Sequence, residues 1–347
     1  MTIRAFLACF FSLSLLTSLI GQTTGPAGVL DNVSPGAVFW LRADQGILTT
    51  GAEVTQWNDQ MANGNNASAT DGPALSAASI NGEDALFFDG TDDNFTLANS
   101  NRINDGASTN RTLYVVFETG ATVPGSGTYQ LIYEEGGGTN GLNVYLEDGE
   151  VVLYLWENQG GSLDPNQEYY ARTSVTANAT YIAAVKFEGD GTSLGRVDFY
   201  VNDLNALTLG SPLGMPTANL ADFSSHTGDI NLGGAPGGGD TQFIGDIAST
   251  GDFFNGRLAE MIYYDATLNE AEFQIVFNYL AEKYNVTLGG GDVYAETNFN
   301  REVTGIAQVG GETHFVGLGN GGALYLENDG GIDADGEYLL AGHNGNI

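Results

Sequence analysis

The sequence runs to 347 residues and carries 10 basic against 43 acidic side chains, a net charge of -33. Such a field repels nucleic acid and anionic lipid and attracts cations, which excludes polyanion-binding functions. Fifty glycines with 42% hydrophobic residues describe a turn-rich chain that still has enough apolar side chains to fill a core.

The first 21 residues read as an export signal: Arg4 supplies the positive start, and residues 5–20 form an apolar run too short for a membrane span. The single cysteine, Cys9, falls inside that segment, so the mature chain has no disulfide. Later apolar runs are too short to cross a membrane, and the expected location is secreted, extracellular or at the cell surface.

A Gly/Thr/Pro linker over residues 23–28 precedes a first strand at 37–41. Residues 45–80 are polar and read as an excursion around 54–57. Asn81 and Gly82 mark a turn before a strand at 85–88. Further strands are expected at 112–117, 129–133, 142–146, 151–156, 181–187 and 197–201. They are short, alternate apolar with polar, and are separated by Gly, Asn and Asp, which is the pattern of a β-sandwich. Asp148 and Gly149 give one hairpin turn. A Gly/Asp-rich loop covers 233–252, and Asn255 and Gly256 turn into a strand at 258–264.

The strongest helix signal follows. Asn269 is a good N-cap, Glu272 stands where a capping box needs it, and Leu268 and Phe273 are spaced as a hydrophobic staple. Phe273, Val276, Phe277, Leu280 and Tyr284 make one apolar stripe, so the helix is expected to lie on a sheet. Gly289 to Gly291 mark a boundary. Residues 292–347 restart with short β-like pieces and read as a partial β-rich module, cut short in a chain that reads as a fragment of something longer.

Four blocks carry a family resemblance. They are Phe39-Trp40-Leu41-Arg42-Ala43-Asp44, Val54-Thr55-Gln56-Trp57-Asn58-Asp59-Gln60 with the Asn-rich run from Asn63 to Ala67, Phe87-Phe88-Asp89-Gly90-Thr91-Asp92-Asp93, and the strand and helix from Gly256 to Tyr284. In this order they resemble bacterial LamG-like (concanavalin A-like) domains over residues 30–288. Ile230-Asn231-Leu232-Gly233-Gly234 is similar to a further strand of that family, and Asp203 stands where the family usually has glycine. The resemblance implies an all-β, concanavalin A-like jelly-roll β-sandwich with one C-terminal amphipathic helix, followed by the partial module. It also implies structural roles for Trp40 and Trp57.

Catalytic signatures are sparse. Hydrolases of this fold place acids at alternate positions of one strand. No such run occurs here: Glu134 and Glu135 are adjacent and point to opposite faces, and Glu147 to Glu150 form a turn. His226, His314 and His343 are isolated, and nucleophile elbows, Walker loops and dinucleotide fingerprints are absent. The chain is therefore expected to be non-catalytic.

Calcium is the expected ion, since it takes several hard oxygens in a bent loop. Asp89, Asp92 and Asp93 bunch in one turn and are the candidate ligands; an Asx-rich turn with free carboxylates is the competing reading. Asp240, Asp246 and Asp252 dot the later loop. For a sugar, the aromatic faces of Tyr154 and Trp156 are the candidates: if Val151, Leu153 and Leu155 face the core, the two rings lie on the open face. Packing beneath a neighbouring loop is the alternative. The partners expected are glycans or extracellular matrix and surface components, with a spacer segment of a large adhesin or a polysaccharide-degrading enzyme as the competing functions.

Overall fold

The structure, a computed structural model, describes residues 24–103, 110–157, 167–189, 195–212, 226, 228–235, 241–247, 252–294, 299–319 and 324–343. The export signal expected over residues 1–21 lies outside them.

The strands in chain order are β1 (Ala37–Arg42), β2 (Ile47–Thr50), β3 (Glu53–Trp57), β4 (Ala67–Ser68), β5 (Ala74–Ile80), β6 (Glu83–Asp89), β7 (Phe95–Leu97), β8 (Asn110–Thr119), β9 (Gln130–Gly136), β10 (Asn140–Glu147), β11 (Glu150–Glu157) and β12 (Gln167–Ser174). Then come β13 (Thr180–Glu188), β14 (Arg196–Val201), β15 (Ile230–Leu232), β16 (Gln242–Phe243), β17 (Asp246–Ile247), β18 (Asn255–Tyr264), helix α1 (Glu270–Tyr284), β19 (Arg301–Val309), β20 (Glu312–His314), β21 (Val316–Leu318), β22 (Tyr325–Glu327) and β23 (Glu337–His343).

Two antiparallel layers form the sandwich. One runs β12-β11-β10-β9-β15-β7-β4-β3, with β2 on β3; the other runs β5-β6-β18-β8-β13-β14, with β1 on β18. They are joined at one edge by the pairing of Glu53 with Ala74. The side chains between the layers are the apolar halves of the alternation: Leu142, Val144, Val151, Leu153 and Leu155 from the first, Leu113, Val115, Phe117, Val185 and Phe199 from the second. Among the described residues this is an all-β sandwich with a single α-helix, as the sequence pattern predicts. Two tight turns follow the predicted chemistry. Asn81-Gly82 and Asp148-Gly149 both have two successive positive φ angles, the geometry that suits a two-residue hairpin.

The family-like block after β3 acts as an anchor. Asp59 accepts the backbone N–H of Trp40 at 3.0 Å and of Met61 at 2.8 Å, while the Asn63 and Asn65 amides donate to the Val38 carbonyl, each at 2.8 Å. These bonds tie residues 59–65 to β1.

Helix α1 is capped as expected, with Asn269 and Glu272 each accepting the other's backbone N–H. It lies on the outer face of the second layer, where Phe273 stacks on Tyr114 with ring centres 5.3 Å apart and touches Tyr200 at 4.7 Å. The one-sided stripe understates its burial. Ile275, Asn278, Tyr279 and Lys283 are buried as well. The reason is that Val303 and Ala307 of β19 join the same apolar cluster from the other side. Residues 301–319 and 324–343 thus form two small sheets, β20-β19-β23 against the helix and β21-β22 beside β19. They also meet the start of the described chain, where Thr304 donates to the Ala27 carbonyl at 2.6 Å. Among the described residues, no helix is long and apolar enough to cross a membrane.

Candidate functional site

The outer face of the first layer carries an unusual row. Strand register sets Tyr170 opposite Tyr154, Tyr154 opposite Asn143, Asn143 opposite Glu134, and Glu134 opposite Asn231. The row continues through Thr96, Ser68 and Gln56. Most chain neighbours of these residues, such as Tyr133, Ile230, Leu232, Phe95, Leu97, Ala67 and Trp57, face the interior, so alternation puts the row on the far side. From Glu134 to Gln56 it crosses four strand gaps, roughly 19 Å.

Its two ends differ. Asn231, Thr96 and Gln56 are half-buried and Ser68 is exposed. Asn231 donates to Glu134 Oε2 at 2.8 Å, and Thr96 bonds the Asn231 Oδ1 at 3.3 Å. Glu134 and Asn143 are fully buried. They lie at the end covered by the small β16-β17 hairpin: the Asn143 amide donates to Thr241 Oγ1 at 3.0 Å and to the Gln242 carbonyl at 2.7 Å. Asn143 Oδ1, also buried, has no hydrogen-bond partner among the described residues.

Phe243 fastens the hairpin. Its ring lies parallel to Tyr129 at 4.2 Å and packs on Tyr145 at 4.7 Å. Gln242 donates to the Gly138 carbonyl at 2.6 Å.

This cover corrects the expectation of an open aromatic platform. Val151, Leu153 and Leu155 do face the core, and Tyr154 and Trp156 do take the opposite face. Yet both rings are only 1% exposed. They stack on each other at 5.8 Å within a cluster that includes Ala235 and Phe243, and Trp156 Nε1 donates to the Gly137 carbonyl at 2.9 Å. Burial, with the hydroxyl's bond to Glu168, raises the Tyr154 phenol above its ordinary value. The sequence could not place these rings because their cover comes from residues about ninety positions later.

Glu134 and Glu135 point to opposite faces. Glu135 turns inward, pairs with Arg111 of the facing layer, and accepts the Tyr133 hydroxyl at 3.0 Å. That buried ion pair bridges the sandwich. His226 is buried near Arg111, and burial pushes its imidazole well down, to about 3. Trp57 is fully buried and Trp40 nearly so.

The three turn acids meet at the end of β6. One carboxylate oxygen from each of Asp89, Asp92 and Asp93 lies within 4.8 Å of the others. Asp89 accepts the Thr91 N–H at 2.7 Å and Asp93 the Asp89 N–H at 2.8 Å, so the turn is built by its own acids. Burial, then the charges of Asp89, Asp92 and Glu53, raises the Asp93 carboxyl above its ordinary value. Of the later loop's acids, Asp246 and Asp252 are described and Asp240 lies outside.

No protein-family model matches the sequence, and no curated protein matches it. Solved structures align at low identity. The binding domain of Paraclostridial Mosquitocidal Protein 1 aligns at TM-score 0.46 and 12% identity, over 70% of this chain and 52% of its own. A Trypanosoma rangeli sialidase, complexed with a difluoro-KDN, aligns at 0.42 and 14%, over 70% of this chain and 32% of its own. The CBM40 of a Ruminococcus gnavus IT-sialidase, bound to α2,6 sialyllactose, aligns at 0.33 and 16%, over 49% and 82%. The chain spans about half the length of the first of these. Likeness at this level carries no functional argument.

Proposed function

We propose that this chain is a secreted, non-catalytic carbohydrate-binding module of the LamG-like kind, which holds a glycan along the outer-face row from Glu134 to Gln56. The supporting observation is that row: amides, hydroxyls and one carboxylate follow one another across five strands, where alternation would allow any solvated residue. Asn, Gln, Ser and Thr both donate and accept, which is what sugar hydroxyls require. Tyr154 and Trp156 form the floor of the covered end rather than an open stacking surface. Residues 30–288 make the module, and residues 292–347 belong to a trailing β-rich unit that lies on α1.

Calcium at the Asp89 turn is part of this reading. Three carboxylates gathered in one bend offer the hard oxygens calcium prefers, and a cation there would relieve the repulsion felt by Asp93. It would hold the turn beside β6 and not act on the glycan.

The test is thermal unfolding of the intact protein against a panel of soluble polysaccharides, with calcium and with chelator. A native-state ligand raises the midpoint by mass action. The reading expects a rise with at least one polysaccharide and loss of that rise in Asn231→Leu. No rise with any of them, in either ion condition, would overturn it.

A further inference from the structure

The row's charge environment allows a narrower statement about its ligand, one that rests on the carbohydrate reading. Of the ten lysines and arginines, Arg4 lies outside the described residues. The other nine each stand in an ion pair with a carboxylate. The strands that carry the row, β3, β4, β7, β15, β9 and β10, contain no lysine or arginine. On the outer face of this layer the described cation is Arg172, at the far edge, 3.3 Å from Glu150 and over the Tyr170 ring.

We propose that the row takes an uncharged or amino-bearing saccharide and rejects acidic ones. A sugar carboxylate is held well when an arginine or lysine supplies charge-assisted hydrogen bonds. Here it would meet amides and hydroxyls beside a buried glutamate, losing water without gaining a cation. The net charge of -33 opposes its approach from a distance as well. A neutral hydroxyl has none of these obstacles: it can exchange bonds with Asn231, Thr96, Ser68 and Gln56 at the open end of the row. A protonated amine is drawn further by the net charge of -33.

Affinity electrophoresis of the intact protein tests this, at fixed ionic strength, in gels cast with neutral polysaccharides (laminarin, galactan, xylan), with chitosan, and with acidic ones (alginate, polygalacturonate, polysialic acid). Retardation by a neutral or amino polymer, with acidic polymers about tenfold weaker or inert, is the expected result. Retardation by an acidic polymer as strong as by any neutral one overturns the charge inference while leaving carbohydrate binding in place. Retardation by none overturns both. Thr96→Lys supplies the control: it places a cation within the row, and a variant whose unfolding midpoint matches the parent's is expected to raise retardation by acidic polymers several-fold. An unchanged acidic response in a folded Thr96→Lys protein places the ligand elsewhere and overturns the inference.

Discussion

Lys283 of the helix reaches 2.8 Å from Glu260 of the strand beneath it, and both side chains are almost wholly out of solvent. Glu260 also accepts the Trp40 indole at 2.6 Å and the Tyr279 and Tyr284 hydroxyls, each at 2.8 Å. Four donors thus saturate one carboxylate that joins β1, β18 and α1.

Removing one partner leaves the other charge buried and unmatched. Lys283→Met is expected to destabilise the protein by about 3–5 kcal/mol. The double variant Lys283→Met with Glu260→Gln should recover part of that, because the stranded charge is gone. Urea unfolding of the two variants checks it; a double variant no better than the single would put the loss in packing instead.

Acid sensitivity has a named contributor. Burial alone would raise the Asp44 carboxyl, but Lys283 and Arg42 outweigh burial and hold it at about 2. A depressed carboxyl stabilises the fold above its unfolded value, near 3.9, and loses that contribution as pH falls through the folded value. Between pH 6 and pH 2 the stability gap between the wild type and Asp44→Asn should shrink by about 2 kcal/mol. A gap that stays constant with pH refutes this.

Asp93 behaves in the opposite sense. Its raised carboxyl favours the folded state below the unfolded value, and the advantage fades as pH rises through the window above it. Asp93→Asn keeps an acceptor for the Asp89 N–H, so it should raise the melting temperature at pH 7 in chelator and do nothing at pH 3. In calcium the order should reverse, since the variant loses a ligand. Melting curves under the three conditions decide it.

The hairpin can be loosened without substituting a residue of the row. Phe243→Ser removes the ring that clamps it to Tyr129 and Tyr145. All three tryptophans are buried, so acrylamide quenching of the parent should be weak. The variant should expose one of them, Trp156, and a Trp156→Phe background should remove the added quenching. If the increase persists there, the hairpin is not what covers that ring.

What the sequence revealed followed from local physics. The capping box at Asn269 and the turns at Asn81 and Asp148 need only neighbouring residues, and the two faces of β11 follow from alternation. What it hid depends on register between distant segments. Gln56, Ser68, Thr96, Glu134, Asn143 and Asn231 become one row only when five separate pairings align, and each looks alone like an ordinary polar strand residue. The signal was there as single polar positions inside otherwise apolar strands, such as Asn231 between Ile230 and Leu232. The excursion over residues 45–80 was also more ordered than its composition suggested, because it contains β2, β3, β4 and β5. Helix burial was underestimated because β19 lies beyond an apparent boundary.

Thr304 bonded to Ala27 ties the start of the described chain to β19, in the sheet that packs on α1. Gly28 is part of that contact: its φ is +79°, and a Cβ there would stand 2.6 Å from the Leu318 nitrogen. A tensile load between residues 24 and 343 would therefore be taken by the β19-β23 pairing and by the clasp where residues 27 and 28 meet 304 and 318. The sandwich and its polar row would hang beside the line of force, unstretched until that clasp let go.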